Sequence, residues 1–333
     1  MNEVNQIVAD IKSGNAKPIY FLMGEETYYI DKISDFIEKN TLTEEERGFN
    51  QMVLYGRDVT VEDVVGNAKR FPMMAEKTVV IVKEAQDLSR SIEKLVSYVE
   101  NPQPSTVLVV NYKYKTLDKR KKLYKIASKV GVVFESKKLY ENQVADWIRK
   151  VLNGKNYQME PKAAQMLVEF LGTDLSKISN ELDKLVLILP EGTIINPVHI
   201  EENIGISKDF NNFELRKSVG NKNVVKANQI INYFSNNPKS NPTVMTISLM
   251  NSYFTQLLMY HGLKDKSKAN VAKNLGVSPY FVDDYVSAAR NYPMRKVSQI
   301  IGFLREADVK SKGVGASISQ NDLLKELLFK IMH

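Results

Sequence analysis

Short apolar runs alternate with stretches of helical spacing through the first 140 residues. The runs at 19–23 (IYFLM), 51–55 (QMVLY), 78–82 (TVVIV), 107–110 (VLVV) and 132–134 (VVF) predict five strands. VVIV and VLVV have no polar alternation, so both faces of those strands must be covered, as in a parallel sheet between helical layers. Helical patterns fill the gaps at 27–38, 61–69, 91–100 and 119–129. A leading helix carries Val4, Ile7, Val8 and Ile11 at i, i+3, i+4 and i+7. This describes an α/β domain. After Tyr140 the strand signals stop. Val144, Trp147, Ile148 and Val151 share one helical face, Pro161 opens a second helix, and Asp174 caps a third that carries Leu175, Ile178, Leu182, Leu185 and Leu189. These three helices form a small bundle. The polar segment GISKDFNN (205–212) separates them from a further all-helical region with breaks at 236–241, 264–268, Asn291 and 313–315. The reading is three domains, at 1–140, 141–210 and 211–333, without an internal repeat or a low-complexity tract.

Composition narrows the function. A chain of 333 residues with 43% hydrophobic and 26% charged positions has room for a sizeable core in each of two or three domains. There is no apolar run of membrane-spanning length, and Glu3 and Asp10 interrupt what a signal peptide would need as its apolar core, so a soluble cytoplasmic protein is expected. With 0 Cys, thiolate metal sites, iron-sulfur clusters, disulfides and cysteine nucleophiles are excluded together. His199, His261 and His333 are far apart, which disfavours a zinc centre or a histidine-based active site. The net charge of +7 equals that of residues 113–129 alone, where eight basic residues (Lys113, Lys115, Lys119, Arg120, Lys121, Lys122, Lys125, Lys129) face one acid, Asp118. The remainder is balanced, so attraction to an anionic partner should come from this run. A solvated helix face and a nucleic-acid contact both fit it.

The first strand ends in a glycine and then a helix (IYFLM, Gly24, EETYYIDK), where nucleotide-binding α/β proteins place a phosphate loop. A competent loop needs a second glycine, a lysine and a Ser or Thr at fixed offsets. Here Glu25, Glu26 and Thr27 follow, and no lysine precedes Lys32. Two carboxylates at a helix N-terminus suit its dipole and repel a phosphate, so ATP hydrolysis is not expected. The third strand would carry the acids of a Walker B motif but runs into Lys83, Glu84 and Ala85, with Glu84 read as an exposed strand-end carboxylate. No catalytic set, metal site or cofactor site can be assembled, and the chain reads as a non-enzyme. RFPMMAEK (70–77) puts Phe71, Met73 and Met74 around Pro72 in a short connection. By chemistry alone these side chains favour folding back into the core over protruding as a plug. VAKNLGVSPYFVDDYVSAAR (271–290) has helix-turn-helix spacing around Gly276. Asp283 and Asp284 carry the wrong charge for a DNA groove, which favours an ordinary helical hairpin.

Taken in order, these pieces resemble the delta-subunit family of the bacterial DNA polymerase III clamp loader. PIYFLMGEETYYIDK (18–32) resembles its opening strand-Gly-Glu-Glu-helix element, and RFPMMAEKTVVIVKEA (70–85) its Pro-Leu-Phe-Gly-x-Arg-Arg segment and following strand. DKRKKLYKIASKVG (118–131) is similar to its basic helix, and LGTDLSKISNELDKLVLI (171–188) to its Gly-x-Asp-Leu…Asn-Glu-x-x-Lys-Leu signature. DVKSKG (308–313) falls near its C-terminal Asp-x-x-x-Lys element. The resemblance implies an AAA+-like α/β domain without a working ATP site, a helical lid, and a C-terminal collar. The collar would join the motor subunits (gamma or tau) and delta-prime in a ring. It implies further that the chain binds and opens the sliding clamp through a hydrophobic pair that maps onto Met73 and Met74, beside Phe71, where the family more often has Leu and Phe. ATP-driven changes in the motor subunits would expose that pair. Lys119, Arg120, Lys121, Lys122 and Lys125 would then contact the phosphates of primed DNA in the assembled ring. A helix-turn-helix DNA-binding regulator is the alternative, and a nucleotide-binding enzyme with an atypical loop is a third reading.

Overall fold

The computed structural model describes residues 2–314 and 319–333, which fall into two compact units, 2–139 and 140–333. In the first, five strands form one sheet with all pairs parallel: β1 (Ile19–Gly24), β2 (Gln51–Tyr55), β3 (Thr78–Lys83), β4 (Thr106–Lys113) and β5 (Val132–Ser136), in the order β2-β3-β4-β1-β5. Successive strand residues serve opposite layers, which is why the runs are apolar throughout. Phe21, Met23, Val80, Val82, Leu108 and Val110 pack against α4 (Val61–Ala68), α5 (Val96–Val99) and α6 (Lys122–Val130). Tyr20, Leu22, Val79, Ile81, Val107 and Val109 pack against α1 (Asn2–Lys12) and α2 (Thr27–Asn40).

Local chemistry explains where the observed elements depart from the sequence pattern. A helix not anticipated, α3 (Glu44–Asn50), is started by a capping box in which the Thr43 amide donates to Glu46 Oε2 at 2.9 Å and the Glu46 amide donates to Thr43 Oγ1 at 3.4 Å. The helix expected at 91–100 is a 3-10 turn (Ile92–Leu95) followed by the single turn of α5. Its buried Ile92, Leu95 and Tyr98 repeat every three residues, which suits the tighter winding. The helix expected from Lys119 starts at Lys122, because Asp118 Oδ1 accepts the Arg120 amide at 2.9 Å and holds 118–121 in a turn.

The second unit begins with α7 (Glu141–Asn153), which buries Val144, Trp147, Ile148 and Leu152; Val151 is only half-buried. β6 (Gln158–Met159) follows, and then α8 (Pro161–Leu171) and α9 (Leu175–Ile188), capped by Asp174 as expected. Leu189 lies just beyond the last turn of α9. β6 pairs in parallel with β7 (Ile194–Ile195), a two-residue ladder too short to leave a periodicity in the sequence. A fourth helix, α10 (Pro197–Ile204), joins this group, capped by Asn196.

Among the described residues seven helices complete the unit: α11 (Asn212–Gly220), α12 (Val224–Asn236), α13 (Thr243–Gly262), α14 (Lys268–Leu275), α15 (Val282–Asn291), α16 (Met294–Ser311) and α17 (Gln320–Met332). Phe234, Phe254, Leu257, Tyr292, Ile300, Leu304, Leu324 and Leu328 form their shared core. Of the break expected at 313–315, Gly315 lies outside the described residues. The segment with helix-turn-helix spacing is α14, a left-handed turn at Gly276 (φ 67°) and α15, with Val271, Leu275, Val282, Tyr285 and Ala288 in the core. It is a helical hairpin, and Asp283 is paired with Lys268 at 2.8 Å. A buried ion pair joins Glu169 of α8 to Arg216 of α11. Together the two units give the expected fold class, a parallel α/β domain followed by all-helical structure.

Gly24 ends β1 with φ 127°, and a Cβ there would lie 2.0 Å from the Ser136 carbonyl oxygen of β5. Both the conformation and the clash are backbone constraints, so Gly24→Ala is expected to destabilise the chain by about 2–4 kcal/mol in urea unfolding. A change within experimental error would show that β1 and β5 do not close in this way.

Candidate protein-docking loop

A parallel sheet has two chemically distinct ends. At the C-terminal end, where a phosphate loop would act, backbone and charge are already engaged. The Gly24 amide donates to the Lys115 carbonyl at 3.0 Å and the Glu26 amide to the Ser136 carbonyl at 3.3 Å. Glu26 is buried, and its carboxylate takes the first turn of α2 by accepting the Tyr28 amide at 2.9 Å. Glu84, in a left-handed conformation (φ 53°), is half-buried rather than the exposed strand-end carboxylate expected. Lys113 Nζ at the end of β4 sits 2.8 Å from Glu84 Oε1 and 2.8 Å from Asp31 Oδ1 of α2. Gln86 closes the group by donating to Glu84 Oε2 at 2.7 Å and accepting the Lys113 amide at 3.2 Å. Burial opposes the charge on Lys113, but the hydrogen bonds and charges of Asp31 and Glu84 outweigh it and raise its pKa. For Glu84, burial is likewise outweighed by Lys113 and Gln86, and its carboxyl is held below the ordinary value.

The N-terminal end carries the loop 70–77. Its apolar side chains do not fold back into the core: Phe71 is 78% exposed, Met73 62% and Met74 fully so. Met74 is in the left-handed region at φ 54°, which a side-chain-bearing residue adopts at a cost. The parallel register sets Gln51 of β2 beside Val79 of β3, so Asn50, the last residue of α3, arrives where the loop runs into β3. Asn50 is buried, and its side-chain amide accepts the Met73 N–H at 2.6 Å and donates to the Met73 carbonyl at 2.9 Å. Phe49 precedes it and is 77% exposed. Sequence reasoning missed both residues; the signal was the capping pattern of Thr43 and Glu46, which marks the start of α3.

The basic run is largely neutralised in space. Lys119 pairs with Glu135 at 2.9 Å, Arg120 with Asp118 at 2.8 Å, Lys121 with Glu93 at 3.6 Å, and Lys122 with Glu100. Among the described residues Lys125 and Lys129 are exposed and make no ion pair. The balance elsewhere is a cancellation: residues 211–333 hold 17 basic and 8 acidic residues, a net of +9, offset by an excess of acids outside that region and the run. Among the described residues no helix is long and apolar enough to cross a membrane. In the helical unit, Arg216, Tyr253, Gln256, Asp284 and Tyr285 line a cavity of about 510 Å³ that contains none of the candidate residues.

Comparison with known proteins adds a family. Residues 20–137 match the model described as DNA polymerase III, delta subunit, and residues 209–330 the model of the DNA polymerase III delta subunit, C-terminal domain. The chain is 26% identical over 313 residues to DNA polymerase III subunit delta of Bacillus subtilis, covering 91% of this chain and 90% of that one. It is 22% identical over 264 residues to a probable DNA polymerase III subunit delta of Aquifex aeolicus, covering 75% and 72%. Among solved structures it is similar to the Bacillus subtilis DNA clamp loader delta protein, with 25% identity, 99% of each chain covered and a TM-score of 0.59. The parallel α/β sheet domain followed by helical structure that the resemblance implied is the fold observed.

Lys113→Met leaves the carboxylates of Asp31 and Glu84 without their shared cation, and is expected to cost about 1–2 kcal/mol of stability at neutral pH. Because the folded-state pKa of Glu84 is lowered, its contribution is present above its ordinary 4.5 and is lost as pH falls through the lowered value. The variant should therefore lose stability less steeply than the wild type on the acid side, as read by urea unfolding across pH. Parallel pH profiles would contradict the network.

Proposed function

The chain belongs to the DNA polymerase III delta-subunit family, and from that membership we propose that it binds the sliding clamp and biases it open for loading onto primed DNA. The observation that carries this reading is the loop 70–77, which presents three apolar side chains, Phe71, Met73 and Met74, to solvent within one short segment. An apolar tip of that kind fits a pocket on a partner, and methionine's flexible thioether chain adapts to an irregular one.

The action is conformational. A ligand shifts an equilibrium only by its differential affinity for the two states, so the tip must bind the open clamp better than the closed one. A difference of about 2–3 kcal/mol raises the open fraction roughly 30- to 150-fold. Because the tip is already exposed in this chain, the motor subunits would control access to it rather than extrude it.

No catalysis by this chain is part of the proposal: Glu25 and Glu26 stand where a phosphate would bind, and the Gly24 and Glu26 amides are engaged within the fold. No cofactor is invoked. Residues 1–140 form the clamp-binding domain in this reading, 141–210 the lid, and 211–333 the collar that joins gamma or tau and delta-prime in the cytoplasm. Primed DNA would be met in the assembled loader. Four of the five lysine and arginine candidates at 119–125 would have to exchange a carboxylate for a phosphate, whereas Lys125 and its neighbour Lys129 are free to bind one. Exposed ion pairs are worth about 0–1 kcal/mol, so that exchange is cheap.

Surface plasmon resonance of the purified chain on the sliding clamp of the same organism tests the main claim. The Met73→Ala/Met74→Ala double variant is expected to bind at least about 30-fold more weakly, the loss of a central apolar anchor. Absence of binding by folded wild type, even with the loader partners added, would overturn the reading. For the assembled loader, Lys125→Ala/Lys129→Ala should lower primed-DNA affinity and flatten its salt dependence by up to about two contacts; an unchanged salt slope would remove these residues from the DNA path.

A further inference from the structure

Between the Arg70 and Thr78 amides, the backbone of the docking loop makes hydrogen bonds, among the described residues, only to the side chain of Asn50. Three features converge there. Asn50 is 2% exposed, so its amide cannot be satisfied by water and must find partners inside the protein. It finds both polar groups of one residue, accepting the Met73 N–H at 2.6 Å and donating to the Met73 carbonyl at 2.9 Å. Its donor also reaches the Glu46 carbonyl at 3.1 Å, which ties the loop to the body of α3. The next residue, Met74, takes the left-handed conformation and holds its side chain fully in solvent.

We infer that Asn50 is a positioning residue for the docking tip. It touches no partner itself; it fixes the backbone at Met73 so that Met73 and Met74 protrude in one arrangement before any partner arrives. Without it, eight loop residues would be held only at their ends, and binding would have to order them. The inference rests on the clamp-binding reading for its consequence, and on the hydrogen bonds alone for its mechanism.

Two measurements on the full chain separate the parts. In Asn50→Ala the Met73 amide should exchange with solvent at least about tenfold faster, while the amides of β1 and β4 keep their protection. Clamp affinity should fall roughly tenfold in the wild-type background and change little in a Met73→Ala/Met74→Ala background, because a residue acting through that pair has nothing left to position once both side chains are removed. A general packing role predicts equal losses in both backgrounds and would overturn the proposal. So would unchanged exchange at Met73, or wild-type affinity with accelerated exchange. If Asn50→Ala does not fold, Asn50→Asp serves instead. It keeps the acceptor for the Met73 N–H and turns the donor contact into a repulsion, so for this variant the affinity comparison in the two backgrounds decides, with the same outcomes expected of it. Failure of the wild type to bind the clamp overturns the clamp reading and leaves hydrogen exchange to decide the anchor by itself.

Discussion

The covering of a parallel sheet on both faces is the constraint from which the rest of the α/β unit follows. Every strand residue from Ile19 to Met23 and from Val79 to Val82 is committed to one helical layer or the other. These strands leave nothing on their faces to meet a partner, so the sheet itself can act only at its two ends, where loops leave it. The ends are not equivalent. Parallel strands gather all their C-terminal turns on one side, where Gly24, Glu84 and Lys113 meet, and all their N-terminal connections on the other, where Asn50 meets Met73.

Electrostatics separates the ends further. At the C-terminal end a single shared cation, Lys113, stands between Asp31 and Glu84, with Glu25 and Glu26 close by in sequence. An incoming phosphate would have to displace carboxylates from a half-buried site in which their mutual repulsion is already balanced. At the docking end the protruding side chains Phe71, Met73 and Met74 and the neutral Asn50 amide carry no charge, and Arg70, Glu76 and Lys77 flank them, so the contact of the tip itself depends on shape and burial.

Strand positions, the parallel sheet and the cap at Asp174 were legible because each is written within a few residues: an apolar run, or a side-chain oxygen three positions ahead of an amide. The candidate site was legible only in part. The apolar character of residues 71–74 argues for burial when taken as composition, whereas in the fold the register of β2 against β3 brings Asn50 to the Met73 backbone and the side chains protrude. The capping pattern of Thr43 and Glu46 marks the helix that carries Asn50, but not its role, since its partner Met73 lies 23 residues away. The basic run misled for a similar reason: sequence counts the charges of 113–129, whereas Glu93, Glu100 and Glu135 approach them only in the fold. Summing the remainder of the chain to zero also hid the +9 of residues 211–333.

The conformation of Met74 bears on why methionine stands at the tip. A glycine would adopt φ 54° without strain, and a residue with a Cβ does so at about 1–2 kcal/mol, so the side chain is retained against a backbone penalty. A penalty at an exposed position has no packing explanation inside the chain, because the Met74 side chain touches solvent on all sides. It is explained if the strain holds the side chain outward while Asn50 holds the preceding peptide. The backbone is then ordered in advance and only the methionine rotamers remain to be fixed on contact. That division keeps the entropic cost of docking in the side chains, where the thioether's flexibility lets the tip follow the contour of a pocket that a rigid Leu or Phe would have to match in shape.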